Sequence, residues 1–282
     1  MENSVPTSLR KIEWVEIPTG EAIIGLSRPQ ARDLFNQLPK SSKSKIVENS
    51  VRLDELKEDL YRSVPQRIVN LKTFYISRFP FTNRQYFDFL YSIRPPALKR
   101  LSESGAYSTH SKLARDFGDH PAIVDEIVAL AFCEWLGARL PTSDEWEKAA
   151  RGTDGRLYPW GNIWDPSRGN FSLDESRKRW GTKTAPVTAH TSGQSLYGVM
   201  DMAGNTFEYV TGPVPTLPKD YVTICRSCDA GLDLTQDAGY PAWFVNLVTM
   251  ISAGEDIVSF RPVLDMWPRT QWPGWSDSAK EG

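Results

Sequence analysis

Cysteine, histidine and net charge are all low in this chain, and each low value closes a function class. Three cysteines among 282 residues give no disulfide framework and agree with a reducing compartment. Three histidines, His110, His120 and His190, do not show the i, i+4 spacing that sets two imidazoles on one helix face. A formal net charge of -2 offers no electrostatic case for nucleic acid or an anionic membrane. No apolar run approaches the length of a membrane span, and MENSVPTSLRKIEW lacks the apolar centre of a signal peptide, so the expected location is cytoplasmic.

What the chain does have is ten Trp, twenty Pro and nineteen Gly. That composition predicts a loop-rich fold pinned by aromatic anchors. Ile12 to Ile17 and Glu21 to Leu26 alternate as strands around Pro18-Thr19-Gly20, which reads as a hairpin. Pro29 starts a short helix through Leu38. Residues 39–50 are a polar linker, and Leu53, Leu56, Leu60 and Tyr61 then have helical spacing, so 27–66 reads as a helical insertion. Its basic Ser/Lys run reads first as solvated linker, with a partner contact as the sharper alternative. Arg67 to Arg78 is a strand pattern. Thr82 with Gln85 is a capping box before Tyr86, Phe87, Phe89 and Leu90. Residues 94–120 read as irregular. Asp125 opens a helix to Leu136 with Ile127, Leu130, Ala131 and Trp135 on its inner side and Gly137 as its stop; Cys133 inside it reads as a small buried hydrophobe.

The stretch RLPTSDEWEKAARGTDGRLYPWGN, Arg139 to Asn162, carries the densest signal. Thr142 and Glu145 have capping-box spacing, and Asp144 and Glu145 suit the positive end of the helix dipole. Trp146, Ala149 and Ala150 share one face, and Gly152 ends the helix. The carboxylates read as caps and partners of Arg139 and Arg151 in preference to catalytic acids. Trp164, Phe171 and Trp180 read as loop anchors. Residues 211–219 form a proline-rich loop, Val222 to Ile224 and Ile257 to Leu264 read as strands, and 266–282 is a Trp-rich tail.

FYISRFPFTNRQYFDFL, HPAIVDEIVALAFCEWLGARLPTSDEWEKAARG, YPWGN, TAPV, YGVMDMAGNTFEYV and, less clearly, SFRPV occur in an order that resembles the formylglycine-generating enzyme family. The resemblance spans most of residues 10–265. It implies one α+β domain over 1–282 with a C-type-lectin-like fold, little regular structure and a small twisted antiparallel sheet. The formylglycine-forming members resemble one another in a glycine-serine pair soon followed by two cysteines four residues apart, which bind copper and activate oxygen. Here the matching segment is YVTICRSCDAGLDL, with only two residues between Cys225 and Cys228. Arg226 aligns with the arginine before that pair, which places Leu232 and its neighbours at the catalytic positions; a shifted alignment brings Cys228 closer. By themselves Cys225 and Cys228 read as two strand cysteines, half a zinc site or a redox pair. Another branch, the sulfoxide synthases, uses iron held by three His, which this chain's His spacing does not match.

The resemblance also implies structural calcium, held by the side chains of Asp201 and Glu208 and the carbonyls of Gly204 and Thr206; hard cations take such oxygen sets. A further site at Asn170 and the Phe171 carbonyl lacks an acidic partner. The expected function is therefore a non-catalytic scaffold that binds or regulates a protein partner. The alternatives are a copper/oxygen-dependent oxidoreductase acting on a peptide or peptide-derived metabolite, and a carbohydrate-binding lectin-like module.

Overall fold

A computed structural model describes residues 7–37, 64–92, 106–171, 184–212, 224–226, 248–250 and 258–267. The readings of 39–63 as linker and helix, of Trp180, of Cys228 and of most of the Trp-rich tail lie outside these residues. After a short helix α1 (Thr7–Arg10), β1 (Trp14–Ile17) and β2 (Gly20–Ile24) follow one another. They are not a hairpin. β1 pairs with β4 (Phe74–Ser77) and β2 with β3 (Arg67–Leu71), both antiparallel. The register runs without a slip from Trp14 opposite Ser77 to Ile24 opposite Arg67. Residues 14–24 thus form one long arm of a ribbon, broken where Pro18 has no N–H to give the ladder. Thr19 bridges the break: its N–H donates to Thr73 Oγ1 at 3.0 Å and its hydroxyl to the Leu71 carbonyl at 3.1 Å. The Pro-Thr-Gly signal marked an interruption of a strand, and the 67–78 strand is interrupted at the same level.

α2 (Arg28–Gln37) follows the first arm, with Ser27 and Gln30 exchanging cap hydrogen bonds. α3 (Asn83–Ser92) starts at the expected capping box: Thr82 N–H donates to Gln85 Oε1 and Gln85 N–H to Thr82 Oγ1. α4 (Ala106–Asp116) lies inside the stretch expected to be irregular. α5 (Glu126–Leu136) has the expected limits, with Gly137 in the left-handed region at φ 70° accepting no Cβ penalty as its stop. Its Asp125 makes no side-chain cap bond. Its inner face is Ala129, Phe132, Cys133 and Leu136, so Ile127, Leu130 and Ala131 face outward instead of inward. EIVALAFCEWL is apolar nearly all round, so periodicity could not choose a face. Phe132 decides it by packing on Phe81, Phe89 and Phe260.

α6 (Ser143–Arg151) follows a two-way capping box between Thr142 and Glu145 and ends at Gly152, φ 72°. A second sheet has the order β7-β6-β5-β8, with β5 (Phe207–Val210) parallel to β8 (Val258–Ser259) and antiparallel to β6 (Ile224–Arg226), which also pairs with β7 (Val248–Met250). The expected 257–264 strand is two short ones, β8 and β9 (Val263–Leu264), the latter on β4. The mixture of helices with small, mainly antiparallel sheets is the α+β class expected. Trp146, Ala149 and Ala150 of α6 lie fully buried in a core with Ile17, Phe74, Ile76, Met202, Val210 and Val263. α6 therefore joins the ribbon to the second sheet. Replacing Thr142 by Ala removes the acceptor for the Glu145 N–H and is expected to cost about 1 kcal/mol. A urea unfolding midpoint identical to that of the parent would contradict the role given to this cap.

Candidate functional site

The arrangement in this region starts from charges that the fold buries. Glu208 on β5 and Arg261 between β8 and β9 are both fully buried. A buried ion pair is tolerated only when the geometry is good and the remaining polar atoms are satisfied. Both conditions are met. Arg261 Nε donates to Glu208 Oε2 at 2.6 Å and Nη2 donates to Oε1. The remaining donors reach the carbonyls of Met200, Ser77 and Arg78. Trp146 Nε1 donates to Glu208 Oε2 at 2.7 Å. One carboxylate thus ties α6, β5, the end of β4 and the loop before β5.

A second network anchors α6 to the ribbon. Glu147 pairs with Arg151 and accepts from the Gly25 N–H at 2.7 Å. Arg151 donates to the carbonyls of Gly25, Gly155 and Arg156. Lys148 Nζ donates to the carbonyls of Pro18 and Gly20, on either side of the ribbon's break, at 2.7 and 2.9 Å. At the entry of α6, Arg139 grips both oxygens of Glu145 and also Asp265. Asp144 pairs with Arg67. All the acidic residues of this helix are therefore occupied structurally, as the sequence indicated, although Asp144 takes Arg67 as its partner.

The loop before β5 turns on Asp201, Gly204 and Asn205, with φ of 55°, 85° and 72°. Gly204 is required there twice over. Its φ suits glycine, and a Cβ would stand 2.8 Å from the Asn170 carbonyl oxygen. Asn205 is the loop's hub: it exchanges bonds with both backbone groups of Ala185, accepts from Asn170 Nδ2 and donates to Asp201 Oδ2. Burial pushes the Asp201 carboxyl up to about 7, with the Asn205 bond and the Arg261 charge pulling the other way.

The four oxygens assigned to calcium by resemblance come from this loop and from β5. The Glu208 carboxylate, however, already accepts three hydrogen bonds and is neutralised by Arg261. A cation reaching Glu208 would meet a guanidinium already seated on it. Three of the roughly four acceptor positions of the Glu208 carboxylate are therefore already taken. Arg261 is the residue that sequence reasoning missed as Glu208's partner; its only signal was a lone arginine within the apolar run SFRPV.

Cys225 lies in a different place. Cys225 is the middle residue of β6, opposite Tyr209 on one side and Thr249 on the other. Cys133 is buried on α5, and burial pushes its thiol up to about 12. His120 Nδ1 lies 3.0 Å from Thr184 Oγ1, and His190 Nδ1 lies 3.3 Å from the Ser167 carbonyl. Among the described residues, no group of three or more His, Cys, Asp and Glu side chains is arranged to hold a metal ion.

The Sulfatase-modifying factor enzyme 1-like domain matches residues 12–227. The chain belongs to that family. Its curated relatives in the family differ in what their names say of chemistry. It is 38% identical over 98 residues to an "Inactive C-alpha-formylglycine-generating enzyme 2" of Bos taurus, covering 33% of this chain and 32% of that protein. It is 30% identical over 188 residues to a "Formylglycine-generating enzyme" of Thermomonospora curvata, covering 51% of this chain and 61% of that one. A "Hercynine oxygenase" of Mycolicibacterium smegmatis is 29% identical over 178 residues, covering 55% and 40%. The chain thus spans less than two thirds of these relatives' lengths. Among solved structures, PvdO from Pseudomonas aeruginosa superposes with a TM-score of 0.57 at 16% identity, covering 92% of this chain and 96% of that one. That likeness shows the fold, which is the C-type-lectin-like fold of this family.

Removing one donor from Glu208 tests the family core directly. Trp146→Phe is expected to destabilise the protein by about 2–4 kcal/mol, combining a lost charge-assisted hydrogen bond with lost packing. A loss under about 0.5 kcal/mol in urea unfolding, the size of an ordinary surface substitution, would show that the indole contributes nothing there.

Proposed function

We propose that this chain is a non-catalytic member of its family, a scaffold that binds or regulates a protein partner. The observation that carries the reading is the number and backbone placement of its cysteines. Copper(I) chemistry of the kind the family resemblance implies needs a pair of soft thiolate ligands. Cys133 is held protonated by burial in a helix. That leaves Cys225 and Cys228, with two residues between them, and Cys225 is hydrogen-bonded into the centre of a four-stranded sheet. The likeness to an inactive relative supports the same reading. The likeness to a formylglycine-generating enzyme and to a hercynine oxygenase supports the alternative, an oxidoreductase on a peptide or peptide-derived metabolite. Carbohydrate binding rests on the fold alone, which carries many functions.

The two readings part on a single preparation. The reduced protein, supplied with copper(I), is expected to retain no stoichiometric copper through gel filtration and to show no thiol-dependent oxygen uptake with cysteine-containing peptides. Copper retained by the parent and lost in the Cys225→Ala, Cys228→Ala double variant, together with oxygen uptake, would establish the oxidoreductase instead.

In the same reading, Arg261 takes the place a cation would have beside Glu208. Adding calcium to EDTA-treated protein is then expected to move Tm by less than about 2 °C, because an ion without differential affinity for the folded state adds no stability. A rise of several degrees that is abolished in Asp201→Asn would instead assign the loop to calcium, with Glu208 leaving Arg261.

A further inference from the structure

α5 presents an apolar stripe to solvent. Ile127 is 75% exposed and Leu130 45% exposed, and Ala131 and Glu134 are exposed beside them. Positions 127, 130, 131 and 134 follow i, i+3, i+4 and i+7, so the four side chains form one continuous face, roughly 10 Å long at the helical rise. The opposite face already fills the core through Ala129, Phe132, Cys133 and Leu136. A surface helix in a soluble domain ordinarily keeps one polar face; a helix apolar on both faces is ordinarily covered on both.

The charges on this helix say what kind of cover fits. EIVALAFCEWL contains no Lys or Arg, while the exposed carboxylates of Asp125 and Glu134 stand at its start and near its end. The stripe is therefore an apolar strip bounded by negative charge. A helix laid into such a surface needs apolar residues at matching spacing and cations along its flanks.

We propose that the Ile127–Leu130–Ala131–Glu134 face of α5 is a docking surface for a basic amphipathic helix of a partner protein. This deepens the scaffold reading, on which it rests, by naming the surface and the chemistry of the partner. Long-range attraction brings the basic segment in, and burial of Ile127 and Leu130 holds it.

The test uses the full chain with isotope-labelled Ile, Leu and Ala methyl groups. The probe is a synthetic helical peptide of about 15 residues, with Leu at i, i+3, i+4 and i+7 and Lys on its flanks. The methyl signals of Ile127, Leu130 and Ala131 are expected to shift on titration. The same peptide with Glu for Lys is expected to bind at least about tenfold more weakly, and raising salt from 50 to 500 mM is expected to weaken the Lys peptide by a similar factor. Ile127→Ser with Leu130→Ser is expected to abolish the response while leaving the urea midpoint near the parent's, since both side chains are exposed. Should that variant unfold, the comparison of the two peptides on the parent still decides. Methyl signals that do not move, or that move equally with both peptides, would overturn the proposal. Signals that move with protein concentration alone, with a dimer in sedimentation, would give the face to a second copy and overturn it too. These outcomes are separate from the copper experiment. Oxygen uptake would remove the non-catalytic reading and leave the methyl result standing; silent methyl signals would remove this surface and leave that reading intact.

Discussion

Glu208 carries a negative charge at a position with no access to water, and much of the structure follows from the need to satisfy it. An isolated buried carboxylate would cost several kcal/mol. Here it is met by Arg261 through two donors and by Trp146 through a third. Arg261 in turn needs acceptors, and finds them in carbonyls of Met200, Ser77 and Arg78. Satisfying one charge thus fixes the positions of α6, β5, the end of β4 and the loop before β5. The short strands need this help. β8 and β9 are two residues each, too few for ladder hydrogen bonds to hold them alone.

How much of this was legible in the sequence depends on whether the governing signal was local. Capping boxes at Thr82-Gln85 and Thr142-Glu145 involve residues three apart, and both formed as the sequence indicated. Gly137 likewise ended its helix. Pairings across the chain were not legible. Pro18-Thr19-Gly20 looks like a turn because proline and glycine serve turns and strand breaks equally; only the partner strand at 67–77 tells them apart. The inner face of α5 is not legible in its own sequence because both its faces are apolar, and the choice belongs to Phe81, Phe89 and Phe260, which are remote in sequence. The Arg261 partner of Glu208 lies 53 residues away. Motif order supplied the family, since several local signals in one order are specific even when each alone is not.

The candidate site divides in the same way. Asp201, Gly204 and Asn205 hold positive φ in the loop that leads into β5, on which Glu208 stands. What the motif could not show is that Glu208 is already paired. The chemistry of a site depends on which groups remain uncommitted, and commitments are tertiary. The same holds for the acidic residues of α6, which look like candidate acids and bases in isolation and are all engaged by arginines, a lysine-bound ribbon or the helix's own cap. The dense motif that names the family is therefore its mechanical centre, and activity in a member of this fold has to be argued from other residues.

The coupling between Glu208 and Arg261 is the direct test of this account. A double-mutant cycle by urea unfolding, with Glu208→Gln, Arg261→Met and the pair, isolates it. Each single substitution is expected to cost about 3–5 kcal/mol by leaving a buried charge alone, and the double to cost clearly less than their sum. Losses that simply add, or single substitutions that cost under 1 kcal/mol, would show that the fold does not depend on this pair.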